Sequence, residues 1–123
     1  MEIEKDKPFY PVSMAAQILG ISADRLRTYE KAGLVKPHRI EKKSEKQKGE
    51  KRLYSQNDIE WVAKLRELIK SGISIPALKI IINLLPYWER ANSPEIFNLK
   101  DDKEWKLIQE LAHSPVYKSL IGN

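Results

Sequence analysis

Apolar residues recur at helical spacing in several separate stretches of this chain, divided by polar or glycine-containing gaps. Met1 to Pro8 reads as a frayed polar arm, and ordered structure is expected to begin at Phe9-Tyr10-Pro11. Ser13 is a suitable N-cap for a short helix over Met14 to Leu19, with Ala15, Ile18 and Leu19 on one face and Ala16 beside it. Gly20 fits the left-handed position that ends such a helix, and Ile21 follows as an apolar plug. Ser22 can cap a second helix, from Ala23 to Ala32, in which Leu26 and Tyr29 share a face and Asp24 sits at the positive end of the helix dipole. Gly33 stops it, Leu34 and Val35 return to the core, and Pro37 prevents continuation.

The next residues lose that period. His38 to Ile40 and Lys51 to Tyr54 are expected as two short strands, with Glu41 to Glu50 as a long polar tip. Ser55 and Asp58 stand at capping-box spacing before a third helix, whose Ile59, Val62, Leu65, Leu68 and Ile69 form one stripe ending at Ser71-Gly72. Ser74 caps a fourth helix starting near Ile75-Pro76, with Leu78, Ile81, Ile82 and Leu85 inward and Pro86 ending or kinking it. Ala91 to Leu99 reads as a loop. Asp101 with Glu104 is a further cap signature, opening a short amphipathic helix through Trp105, Ile108, Leu111 and Ala112 that stops before Pro115.

Two short helices joined by a tight turn make a helix-turn-helix, and a strand pair directly after it makes a wing. The expected fold class is therefore mainly α: a winged helix-turn-helix with a short basic β-hairpin wing, plus a short C-terminal helical tail. Residues 1–8 would be a flexible arm, 9–86 the winged domain, and 87–123 a tail serving dimerisation or effector response.

Charge sharpens this picture. The chain has 123 residues and a formal net charge of +5. Lys36 to Arg52 alone holds eight basic residues against three acidic ones, so that stretch accounts for the whole surplus. A charge run of this kind is either a solvated loop or an attraction for an anionic partner. There are no cysteines, which excludes disulfides and thiolate metal sites. His38 and His113 lack neighbouring metal ligands, and there is no phosphate-binding glycine loop and no nucleophile motif. Neither cofactor nor metal nor enzymatic activity is expected. Trp61, Trp88 and Trp105 are read as packing residues. With no apolar run long enough to span a bilayer and no signal-peptide pattern, the reading is a cytoplasmic protein with no membrane partner.

A short second helix with a polar outer face fits a DNA major groove, about 12 Å wide. Ser22, Asp24, Arg25 and Thr28 would lie outward at the start and middle of that helix. Arg25 and Arg27 are the side chains best able to reach guanine edges or phosphates. Arg39 and Arg52 at the base of the wing would be held rigidly, whereas tip lysines such as Lys42 and Lys43 would give diffuse attraction to phosphates.

Val12, Ala15, Ala16 and Ile18-Leu19-Gly20-Ile21-Ser22, then Leu26-Arg27-Thr28-Tyr29-Glu30-Lys31-Ala32-Gly33-Leu34-Val35, resemble the opening of MerR-type regulators. So do Arg52-Leu53-Tyr54-Ser55 with Asp58-Ile59, and the Gly72-Ile73-Ser74-Ile75 turn, over roughly residues 9 to 85. The Arg-Leu-Tyr-Ser run and Phe9-Tyr10-Pro11-Val12 look most like the heat-shock-repressor branch. The resemblance implies a homodimer that binds double-stranded DNA at an inverted repeat. It implies DNA contacts from Arg27, Thr28 and Tyr29, from Arg52 on the wing, from Tyr54 near the phosphate backbone, and from Arg66 on the third helix. The long lysine-rich tip, and the prolines Pro86 and Pro94 where many members carry a coiled-coil helix, depart from the family pattern.

The function expected is a sequence-specific transcription regulator, a repressor, with any small-molecule effector unknown. An architectural or excisionase-like DNA-binding protein, and a winged-helix adaptor that binds another protein, stand as alternatives.

Overall fold

A computed structural model describes residues 4–41, 50–91 and 102–120. Its first strand, β1 (Tyr10–Pro11), leads directly into α1 (Val12–Leu19). The helix therefore begins before the expected Ser13 cap. Pro11, in extended backbone, stands at the N-cap and makes no side-chain cap bond. The sheet sets this start: Tyr10 pairs with Tyr54 and Pro11 with Leu53, and the Phe9 N–H donates to the Tyr54 carbonyl at 3.1 Å. Ala15 and Ala16 are buried, but Ile18, expected on the same face, is 55% exposed. At 100° per residue Leu19 comes back to the Ala15 side and Ile18 turns away from it.

Gly20, with φ 72°, closes α1, and the Ile21 N–H reaches back to the Ala16 carbonyl at 3.0 Å. Ser22 opens α2 (Ala23–Lys31), its hydroxyl accepting the Arg25 backbone N–H at 3.1 Å. A cap of this type is worth about 1 kcal/mol. Ala32 stays right-handed and Gly33 takes φ 81°, which lets the Leu34 N–H bond to the Tyr29 carbonyl at 3.0 Å. Leu34 and Val35 are buried as expected.

The hairpin strands are β2 (His38–Glu41) and β3 (Glu50–Tyr54), each a residue longer than expected. With β1 they form an antiparallel sheet in the order β1-β3-β2, so the last strand in sequence is the central one. Residues 42–49, the expected tip, lie outside the described residues.

The capping box forms at the start of α3 (Gln56–Lys70). Asp58 accepts the Ser55 N–H at 2.9 Å, and Ser55 accepts the Asp58 N–H at 3.1 Å. The described part of the N-terminal arm contacts the start of α3. Residues 4–7 make a turn, the Asn57 N–H donates to the Lys5 carbonyl at 2.9 Å, and Lys5 pairs with Glu60 at 3.5 Å. The arm thereby satisfies one of the N–H groups that a helix start leaves without a partner.

The chain divides into two compact units, residues 1–60 and 61–123, the division falling within α3. Buried residues of the first are Ala15, Ala16, Leu26, Tyr29, Leu34, Val35, Tyr54 and Ile59, with Ser55 and Asp58 among them. In the second unit α4 (Ile75–Ala91) is capped by Ser74, whose hydroxyl accepts the Ala77 N–H at 3.2 Å. It runs on through Pro86 rather than stopping there. Proline removes one N–H from the helix ladder, but Ile82 and Leu85 are buried just before it and α4 packs on α5 (Asp102–Ala112). A further helix, α6 (Pro115–Leu120), was not expected. Pro115 occupies the first helical position, where its missing N–H costs nothing, and Ser114 accepts the Val116 N–H at 3.2 Å. Ile108, Leu111, Val116 and Tyr117 are buried here. The expected loop after Ala91 and the Asp101 cap lie outside the described residues, as do the side chains of Trp88 and Trp105; Trp61 is fully buried. Among the described residues no helix is long and apolar enough to cross a membrane.

Candidate nucleic-acid interface

Helix α2 is held by a narrow seam. Only Leu26 and Tyr29 of its nine residues are buried. Ser22, Asp24, Arg25 and Thr28 are exposed, and the Arg27 side chain is 44% exposed. Arg27 pairs with Asp24 through one N–H at 2.8 Å, and the Thr28 hydroxyl donates to the Asp24 carbonyl at 3.0 Å. Asp24, Arg27 and Thr28 thus occupy one face at the i, i+3, i+4 spacing. An exposed ion pair of this kind is worth at most about 1 kcal/mol. It orients the guanidinium yet surrenders it readily to a stronger acceptor.

The hairpin base carries the second part. Arg39 and Arg52 are direct cross-strand partners. Glu30, near the end of α2, takes one from each oxygen: Arg39 donates to Oε1 at 3.3 Å and Arg52 to Oε2 at 3.4 Å. The Glu30 side chain is 11% exposed. Glu30 did not emerge from the sequence reading. Its signal was there in outline: an acid one turn after buried Leu26, followed by two arginines on paired strands. Only the strand register brings those arginines opposite each other.

Tyr29 and Tyr54 take different positions from the polar set, since both side chains are buried. The Tyr54 hydroxyl has no hydrogen-bond partner among the described residues. Burial, reinforced by the Glu30 charge and opposed by Arg52, pushes its pKa up to about 12. Asp58 is also buried. Burial raises its carboxyl above the ordinary value, while the Ser55 hydrogen bonds and His38, whose Nε2 is 3.6 Å from Oδ2, pull the other way. Arg66 lies on the part of α3 in the second unit and is half-buried. Lys42 and Lys43 lie outside the described residues. The structure therefore brings together Asp24, Arg25, Arg27 and Thr28 on α2 with Ser22 at its N-cap, and joins Arg39 to Arg52 through Glu30. No group of three metal-ligating side chains occurs among the described residues.

Comparison with known proteins finds a match to the MerR HTH family regulatory protein model over residues 10–85. The heat-shock protein HspR of Streptomyces coelicolor is 37% identical over 84 residues, covering 68% of this chain and 51% of the relative. The HTH-type transcriptional regulator GlnR of Bacillus anthracis and that of Bacillus cereus are each 25% identical over 101 residues, covering 82% of this chain and 69% of the relative. The chain thus spans about half the length of the Streptomyces relative.

Proposed function

Because this chain belongs to the MerR HTH family of regulatory proteins, we propose that it is a sequence-specific double-stranded DNA-binding transcription regulator, a repressor acting as a homodimer on an inverted repeat. The observation that carries this reading is α2 itself: a helix anchored by Leu26 and Tyr29 that leaves Asp24, Arg25, Arg27 and Thr28 exposed together. A helix of that width enters the major groove, with Arg27 and Arg25 reaching base edges or phosphates. Arg39 and Arg52 hold phosphates beside the groove, and Lys42 and Lys43 add attraction that fades with salt. Two-fold symmetry supplies one α2 to each half-site. On this reading residues 9–86 are the winged DNA-binding domain, Arg66 is a phosphate contact, and residues 87–123 serve dimerisation or effector response. Tyr29 and Tyr54 support the contacts from inside the fold.

Selection from random duplexes with the purified protein tests this. The expected outcome is enrichment of two half-sites in inverted orientation. Strong but indiscriminate binding with bending would replace the regulator by an architectural protein, and no binding at low salt would replace it by a protein-interaction adaptor.

A further inference from the structure

We infer that Glu30 is a positioning residue that clasps the hairpin base to α2 and thereby sets how well the protein distinguishes one duplex from another. The second half of that inference rests on the DNA-binding reading above; the first half stands on geometry alone.

Arg39 and Arg52 face each other across β2 and β3. Like charges directly opposite in a strand pair destabilise it. Glu30 lies between them with an oxygen for each, at 3.3 Å and 3.4 Å, and is itself mostly withdrawn from solvent. The bond to Arg39 and the bond to Arg52 tie two strands to one helix through a single side chain. Arg27 and Thr28 stand only three and two residues before Glu30 on that helix, so the clasp and the exposed polar face belong to the same two turns. Each guanidinium carries five N–H donors, and the Arg39 and Arg52 side chains remain 51% and 40% exposed. Both side chains therefore remain within reach of a phosphate from solvent.

An acid at this place works against simple attraction. It lowers the positive charge that any duplex would meet, so its benefit to binding must come from position. Fixed guanidiniums select a particular phosphate spacing, whereas loose ones accept any.

The discriminating variant is Glu30→Gln, which keeps the shape and adds one unit of positive net charge. Amide hydrogen exchange on the protein alone should show β2 and β3 amides exchanging about five-fold faster, the equivalent of about 1 kcal/mol at the upper end for such pairs. The ratio of affinities for the selected duplex and a scrambled one should fall by about the same factor. The scrambled duplex itself should be bound as well as before or better. Glu30→Asp, which retains the charge at shorter reach, should shift the ratio in the same direction by less, and it carries the comparison if Glu30→Gln does not fold. Unchanged hairpin exchange overturns the clasp. An equal change on both duplexes, in either direction, overturns the positioning role. If the wild-type protein binds no duplex, the DNA-binding reading fails, while the exchange measurement still decides whether Glu30 holds the hairpin.

Discussion

Helices α2 and α4 solve different problems with the same backbone. α4 is seventeen residues long and buries Leu78, Ile81, Ile82 and Leu85 at spacings of three and four, a stripe along the part of the helix before Pro86. α2 is nine residues long and buries Leu26 and Tyr29. What α2 lacks in apolar area it makes up in polar ties: the Ser22 cap, the Asp24–Arg27 pair, and Glu30 bonded to two strands. A helix held by packing can present any surface, but it has no reason to align a charged one. A helix held by two core residues and several polar bonds has its outer side chains oriented already, which lowers the entropy lost when they bind something. Under the proposed function, the outer face of α2 is the surface that meets DNA, while α4 contributes a longer apolar stripe.

The largest test of that contrast is in the core. Leu26→Ala removes one of only two buried anchors and should destabilise the protein by about 2–5 kcal/mol, the range for a fully buried leucine. Leu85→Ala on α4 should fall in the lower part of that range because three buried neighbours on its own helix remain. Urea denaturation measures both. A Leu26 loss smaller than the Leu85 loss would mean that α2 is held mainly by its polar bonds.

A smaller effect lies in pH. Burial raises the Asp58 carboxyl above its ordinary value of 3.8, so the folded chain binds that proton more tightly than the unfolded chain does. The contribution of Asp58 is most favourable below the ordinary value and is lost as pH rises through the raised folded value. Asp58→Asn keeps a cap acceptor without the ionisation. The difference in melting temperature between wild type and variant should therefore move against wild type as pH rises from acid toward neutral. A difference that is flat with pH would show that the Ser55 and His38 interactions cancel the cost of burial.

The smallest expected change is Tyr54→Phe. Its hydroxyl is buried without a partner among the described residues, so removing it should alter stability by less than about 1 kcal/mol, with a gain as acceptable as a loss. A large loss in thermal denaturation would mean that the hydroxyl is bonded in solution and that the aromatic is more than core.

Much of the architecture was legible because it is local. The Ser55–Asp58 box, the Ser74 cap, the turns at Gly20 and Gly33 and the buried stripe of α4 all depend on residues within one or two turns of each other. What escaped depends on distant partners. β1 is two residues long, includes a proline, and exists because Tyr10 finds Tyr54. Ile18 has the right spacing for the α1 core but not the right angle once α2 and the sheet have taken up the alanine side. α4 passes Pro86 with Ile82 and Leu85 buried just before it and with α5 packed on the helix, which offsets one missing bond. The site divides the same way. The exposed set on α2 could be read from its spacing, whereas the Glu30 bonds to Arg39 and Arg52 arise only when β2 and β3 are in register, and Tyr54 pairs with Tyr10 of the distant β1.

The most direct measurement is the affinity of Arg27→Ala for the selected duplex, taken by fluorescence anisotropy beside thermal melts. The Arg27 side chain is 44% exposed and makes a surface ion pair with Asp24. Affinity should fall by about 1–3 kcal/mol while the melting temperature stays within a degree or two of wild type, as about 0.5 kcal/mol or less of surface stability implies. Undiminished affinity in a protein that melts like wild type would contradict the claim that this face of α2 meets DNA.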